Sequence, residues 1–115
     1  MIEKFEPVEL GPKPWGRELL IARTNQYMGK VLWMNAGHAG PLQYHQRKEE
    51  TFFLLSGMAR VTYKTLEGVL ESRLMQPGES YHVPPGSVHQ VAALEDCIFV
   101  EASTPVFDDR VAVQA

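Results

Sequence analysis

From Gly37 to Gly57 the chain reads GHAGPLQYHQRKEETFFLLSG, and this stretch decides the fold. Gly37, Gly40 and Pro41 punctuate a loop. Gln43 and His45 stand two apart, so in a strand their side chains leave the same face. Glu50 opens a second strand in which Phe52 and Leu54 share its face, and Ser56-Gly57 closes it with a turn. Two short strands, one with an amide and an imidazole and the next with a carboxylate, are thereby set side by side.

The same rhythm continues on both sides. Candidate strands are Arg17–Ala22, Lys30–Asn35, Leu42–His45, Thr51–Leu55, Met58–Lys64, Val69–Met75, Ser80–Val83, His89–Ala93 and Cys97–Ser103. Turn signals separate them at Asn25-Gln26, Glu67-Gly68, Pro77-Gly78, Pro84-Pro85-Gly86 and Glu95-Asp96. Thr65-Leu66-Glu67-Gly68 reads as a hairpin loop with Gly at its strained position. No helical periodicity persists, and many short strands at this spacing predict an all-β antiparallel sandwich or barrel. The tail from Thr104 onward, with its Asp108-Asp109-Arg110 cluster, reads equally as a helical turn or a solvated strand end.

Length and composition narrow the function. At 115 residues and 13.0 kDa, one domain is expected. A net charge of -3 argues against a basic nucleic-acid-binding face. No apolar run approaches the roughly 20 residues of a membrane span. The opening Met1-Ile2-Glu3-Lys4-Phe5-Glu6 lacks the apolar stretch of a signal peptide, and a lone Cys97 forms no internal disulfide. A cytoplasmic protein with no membrane or nucleic-acid partner is the expectation.

His89 follows the Pro84-Pro85-Gly86 turn. Together with Gln43, His45 and Glu50 it makes a set of two imidazoles, a carboxylate and an amide oxygen that would suit one divalent metal ion inside a barrel. Singly, each is more often a hydrogen-bonded structural residue than a ligand. The spacing resembles the two motifs of the cupin superfamily. The first runs Gly37, five residues, Gln43-Tyr44-His45, four residues, Glu50, six residues, Gly57. The second runs Gly78, five residues, Pro84-Pro85-Gly86, two residues, His89. Gln43 replaces the first motif's leading His, and Ala93 replaces the second motif's final Asn.

The resemblance implies a double-stranded β-helix, the jelly-roll barrel of cupins, as a single domain over residues 1–115 with motif 1 at 37–57 and motif 2 at 78–93. It implies Gln43, His45, Glu50 and His89 as ligands of one divalent ion (zinc, manganese, iron or nickel). Glu49 is a competing carboxylate, but its strand parity is opposite to that of Glu50. His82 is read as a fifth ligand, a pocket wall or a packing residue, and His38 as solvated.

Leu42-Gln43-Tyr44-His45, with Arg47, Glu50 and Ser56-Gly57, is similar to the phosphomannose isomerase cupins, as is Lys13-Pro14-Trp15-Gly16-Arg17-Glu18. That likeness implies an isomerase-like, aldose–ketose activity on a sugar or sugar phosphate. Glu101 and His82 are candidate catalytic groups. Lys13, Trp15, Arg17, Tyr44, Arg47 and Arg60 are candidate substrate contacts, although each basic residue is more often a solvated surface residue and Trp15 is equally a cover for one end of the barrel. A mononuclear metal dioxygenase and a non-catalytic binding module are the competing readings, and exposed strand edges suggest a homodimer.

Overall fold

The computed structural model describes residues 1–114, so Ala115, the last residue of the expected domain, lies outside the described residues. The regular elements are β1 (Val8–Lys13), β2 (Gly16–Arg23), β3 (Met28–Met34), β4 (Gln43–His45), β5 (Glu50–Ser56), β6 (Ala59–Lys64), β7 (Leu70–Met75), β8 (Ser80–Val83), β9 (His89–Ala93), β10 (Cys97–Ser103) and β11 (Arg110–Ala112). All pairings are antiparallel. One sheet has the order β1-β2-β3-β10-β5-β8 and the other β11-β4-β9-β6-β7. The two pack face to face as a jelly roll, the all-β architecture expected from the strand spacing. Among the described residues no helix is long and apolar enough to cross a membrane.

Alternation along each strand builds the interior. In β5, Glu50, Phe52 and Leu54 are buried while Thr51 and Phe53 are half-buried on the other face. In β10, Cys97, Phe99, Glu101 and Ser103 point inward. The apolar core gathers Met34, Phe52, Leu54, Ala59, Val61, Met75, Val83, Ala93, Cys97 and Phe99. One tight approach depends on glycine. Gly57 has φ +99°, and a Cβ there would run into the Asp96 carbonyl and Cys97, so the β5–β6 turn closes directly on the start of β10. The Thr65–Gly68 hairpin loop forms as read, with Gly68 at φ +83° donating its N–H to Thr65 O at 2.9 Å.

Two strands go beyond the sequence reading. β1 contains Gly11-Pro12, which reads as a turn. The chain tolerates them because β1 is an edge strand whose register slips between Glu9 and Pro12. The tail is a strand, not a helical turn: β11 pairs with β4 through Arg110–His45, Val111–Tyr44 and Ala112–Gln43.

Candidate metal centre

The interior is not uniformly apolar. Near the mouth of the barrel His45, Glu50 and His89 place one ligand atom each within 4.8 Å of the others, and all three are buried. They come from different strands, β4, β5 and β9. Gln43 and His89 are directly opposed across the β4–β9 pair, which sets their side chains on one face. The Pro84-Pro85-Gly86 turn is pinned here by the Gly86 N–H, which donates to His45 O at 2.8 Å.

Both imidazoles are oriented from behind. His45 Nδ1 donates to Asp109 Oδ1 at 3.2 Å, and His89 Nδ1 donates to the Ser87 carbonyl at 2.9 Å. Each Nε2 is left pointing at the same carboxylate oxygen, Glu50 Oε1, at 3.4 and 3.3 Å. Asp109 is itself held by the backbone N–H groups of Arg47 and Lys48, at 2.7 and 2.8 Å. An anchored Nδ1 that directs Nε2 inward is how metal-binding histidines are oriented. Two imidazole nitrogens and one carboxylate oxygen also form a donor set that zinc, manganese and iron accept. The residues fit such an ion.

A second layer of charge lies deeper. Glu50 Oε2 faces Lys48 Nζ at 3.2 Å, and the same ammonium donates to Glu101 Oε2 at 3.0 Å. Burial alone would raise the Glu50 pKa, but hydrogen bonds from His45 and His89 and the nearby Lys48 hold it far below the carboxylate range. Glu101 goes the other way: burial and the charge of Glu50 push it up to about 8. Lys48 is raised, since Glu101 and Glu50 outweigh the penalty of burying its charge. His89, though buried, is raised by its hydrogen bond to Glu50. Farther along, Lys30 is paired with Glu18 at 2.7 Å, and Lys13 approaches the same carboxylate at 3.7 Å.

These groups line a cavity of about 320 Å³ that opens between the sheets. Gln43, His45, Glu50, His89 and Glu101 all face it, and so do Lys13 and Trp15. The other candidates do not. Arg17 lies on the outer face, paired with Glu9 and stacked on Trp33 at 4.3 Å. Tyr44, Arg47 and Arg60 are absent from the lining, the first and last because strand parity turns them outward. His82 is exposed and ion-paired with Glu49, outside the cluster. Of the two neighbouring carboxylates, Glu50 points into the cavity and Glu49 points out. Lys48 and Lys30 are not singled out in the sequence, and Glu18 enters there only as the end of the Lys13-to-Glu18 segment. Lys48 had a usable signal, because two residues before Glu50 is the same strand parity. Asp109 had none, since its partner His45 is 64 residues away.

A family model described as a cupin domain matches residues 31–103. Two curated relatives come from Salmonella typhimurium. Mannose-1-phosphate guanylyltransferase RfbM is 27% identical over 77 residues, and mannose-1-phosphate guanylyltransferase ManC is 30% identical over 77. Each match covers 67% of this chain and 15% of the relative, so the chain spans about 15% of the length of these proteins. Among solved structures, the capsular polysaccharide assembling protein CapF from Staphylococcus aureus superposes with TM-score 0.83 at 15% identity, over 96% of this chain and 32% of that one. KdgF from Halomonas sp. superposes with TM-score 0.76 at 24% identity, over 89% of both chains. Bacillus subtilis oxalate decarboxylase, a protein with Mn(II) centres, gives 0.74 at 19% over 91% of this chain and 29% of that one. At these identities the likeness is one of fold.

Proposed function

The chain belongs to the cupin family, and from that premise we propose that it is a metal-binding cupin acting on a sugar or sugar phosphate, with aldose–ketose isomerase chemistry. One observation carries the reading: two imidazole Nε2 atoms, each fixed from behind, converge with an ionised carboxylate at the edge of a cavity of monosaccharide scale. His45, Glu50 and His89 would hold the ion, with Gln43 as a fourth, neutral oxygen donor. The sugar-related names among the relatives and fold neighbours support the substrate class.

A bound divalent ion supplies charge that polarises the substrate's carbonyl and hydroxyl oxygens. The rest falls to the chain's own residues. Glu101, raised to about 8, would take a proton from one carbon and return it to the next in its ionised fraction, which grows as pH rises toward 8. Lys48 fixes the Glu101 carboxyl by its 3.0 Å hydrogen bond. Trp15, Leu32, Phe99 and Phe107 give the cavity apolar walls that exclude water. Lys13, at the rim and only loosely held by Glu18, is available to an anionic substituent.

The test is proton exchange into sugar phosphates from heavy water, run beside an oxygen electrode on the metal-loaded protein. Exchange without oxygen uptake is expected, and Glu101→Gln should abolish it while leaving bound metal in place. Oxygen uptake with iron and no exchange overturns the reading in favour of a dioxygenase. Tight sugar binding with neither signal overturns it in favour of a binding module.

A further inference from the structure

At β7 and β8 the two sheets stay apart. β7 ends the five-stranded sheet and β8 ends the six-stranded one, with no ladder between them. A second cavity, of about 330 Å³, opens in that gap and shares only Phe52 and His89 with the first. The polarity of β7 is turned toward it. Val61 pairs with Arg73 and Tyr63 with Glu71, so Glu71 and Arg73 lie on the inner face beside buried Val61 and Met75. Leu70 and Leu74 point outward instead, at 40% and 44% exposure. Apolar packing would set this strand the other way round, leucines inward. The cavity lining offers Arg73 the Tyr63 ring, 5.9 Å from its guanidinium carbon, and no carboxylate.

We propose that this gap is a second small-molecule site, which takes a planar organic carboxylate. Its walls are aromatic: Tyr81 is stacked on Phe52 at 5.9 Å, and Tyr63 lines the same space. Its charged groups are the cations Lys64 and Arg73, with two imidazoles and no acid. A guanidinium at the rim of an aromatic slot matches a carboxylate on a flat apolar body, which it can hold bidentately. Two carboxylates stand beside the lining, each already engaged: Glu71 accepts from the Tyr63 hydroxyl at 3.3 Å, and Glu49 pairs with His82. The backbone around the slot is fixed in advance. Lys64 N–H donates to Val88 O at 3.0 Å, and in the hairpin between β7 and β8 Gly78 N–H donates to Leu54 O at 2.8 Å. At about 330 Å³ the cavity is at the small end of ligand pockets, a size for one ring and its carboxylate. The first cavity has the opposite character, being lined by Glu18, Glu50, Glu101 and Asp109. With only Phe52 and His89 in common, the second site stands whether or not the first holds a metal.

Titration of benzoate into the isotope-labelled full chain, followed by two-dimensional NMR with and without zinc, tests this. Saturable shifts at millimolar benzoate are expected at Tyr63, Arg73, Tyr81 and Val88 in both conditions. Benzamide keeps the ring and loses the charge, and it should bind about tenfold or more weakly. Inorganic phosphate, a charge without a ring, should also bind more weakly than benzoate. Arg73 is exposed, so Arg73→Gln should fold with an unchanged circular dichroism spectrum and lose benzoate affinity by about tenfold or more. Should that variant not fold, the comparison of benzoate with benzamide decides. No saturable shift at tens of millimolar benzoate overturns the proposal. So do shifts confined to Gln43, Lys48 and their neighbours, benzamide or phosphate binding as tightly as benzoate, or unchanged affinity in Arg73→Gln. If the wild type binds no benzoate and Arg73→Gln aggregates, Arg73 guards the open edge of β7 and the proposal fails.

Discussion

The same four strands build two unlike halves of one interior. Read inward from the mouth, β5 runs Glu50, Phe52, Leu54; β10 runs Glu101, Phe99, Cys97; β3 runs Lys30, Leu32, Met34; β9 runs His89, Val91, Ala93. Strand parity selects which residues enter, and position along the strand decides whether charge or hydrocarbon meets there. The far half is held by apolar packing. The mouth is held by an alternation of charges that no packing argument would favour, since burying each ion is costly unless its partners remain.

The halves should respond differently to damage. Leu54 is fully buried in the far half, and Leu54→Ala should cost about 2–5 kcal/mol in urea unfolding, with little dependence on pH. A loss below about 1 kcal/mol would mean that this half is loosely packed. Lys48→Met, at the mouth, should cost less, about 1–3 kcal/mol, because Glu101, raised to about 8, already keeps its proton below that pH and needs no ammonium counter-ion there. Unlike the Leu54 defect, that cost should grow from pH 5 to pH 8. An equal cost at both values would show that Glu101 does not change its protonation across that range.

Stability of the metal-free wild type should itself depend on pH through the mouth. Glu50 is lowered from its ordinary 4.5, so its contribution is present above pH 4.5 and is lost as pH falls below it. Glu101, raised from 4.5 to about 8, and His89, raised from 6.5, act in reverse. The folded chain keeps protons that the unfolded chain has released, so stability declines as pH rises toward about 8. The melting temperature of the metal-free protein should therefore peak on the acid side of pH 6.5. Saturating divalent metal should move the peak upward, because an occupied site needs its ligands deprotonated. A flat metal-free profile from pH 5 to 8 would contradict the assigned shifts.

The smallest effect on stability, and a specific one on binding, is expected for Asp109→Asn. It leaves the cavity in place and weakens the tether of His45, so metal affinity should fall by about 10–100-fold in a calorimetric titration. An unchanged affinity would make Asp109 a loop anchor only.

What was legible in the sequence follows the same division. The period of two in Gln43–His45 and Glu50–Leu54, and the turns around them, are local, and they gave most strands and the facing of the four candidate ligands. β1 was missed because Gly11-Pro12 is local turn chemistry that an edge position overrides. Charge and neighbourhood suggest Arg17, Tyr44, Arg47 and Arg60 as substrate contacts, but neither property fixes which face a side chain occupies. The Asp109–His45 contact and the Lys13–Glu18–Lys30 group join residues from distant parts of the fold or across a sheet, and no spacing in the chain announces them.

The most direct test is the metal content of purified chain and variants by elemental analysis, after exposure to zinc, manganese, iron and nickel in turn. About one divalent ion per wild-type chain is expected with at least one of these metals, as is a sharp loss in His89→Ala and Glu50→Gln. Glu49→Gln, whose side chain points outward to His82, should retain its metal. Full occupancy in folded His89→Ala, or an equal loss in Glu49→Gln, would contradict the assignment of the mouth as a metal centre built on His45, Glu50 and His89.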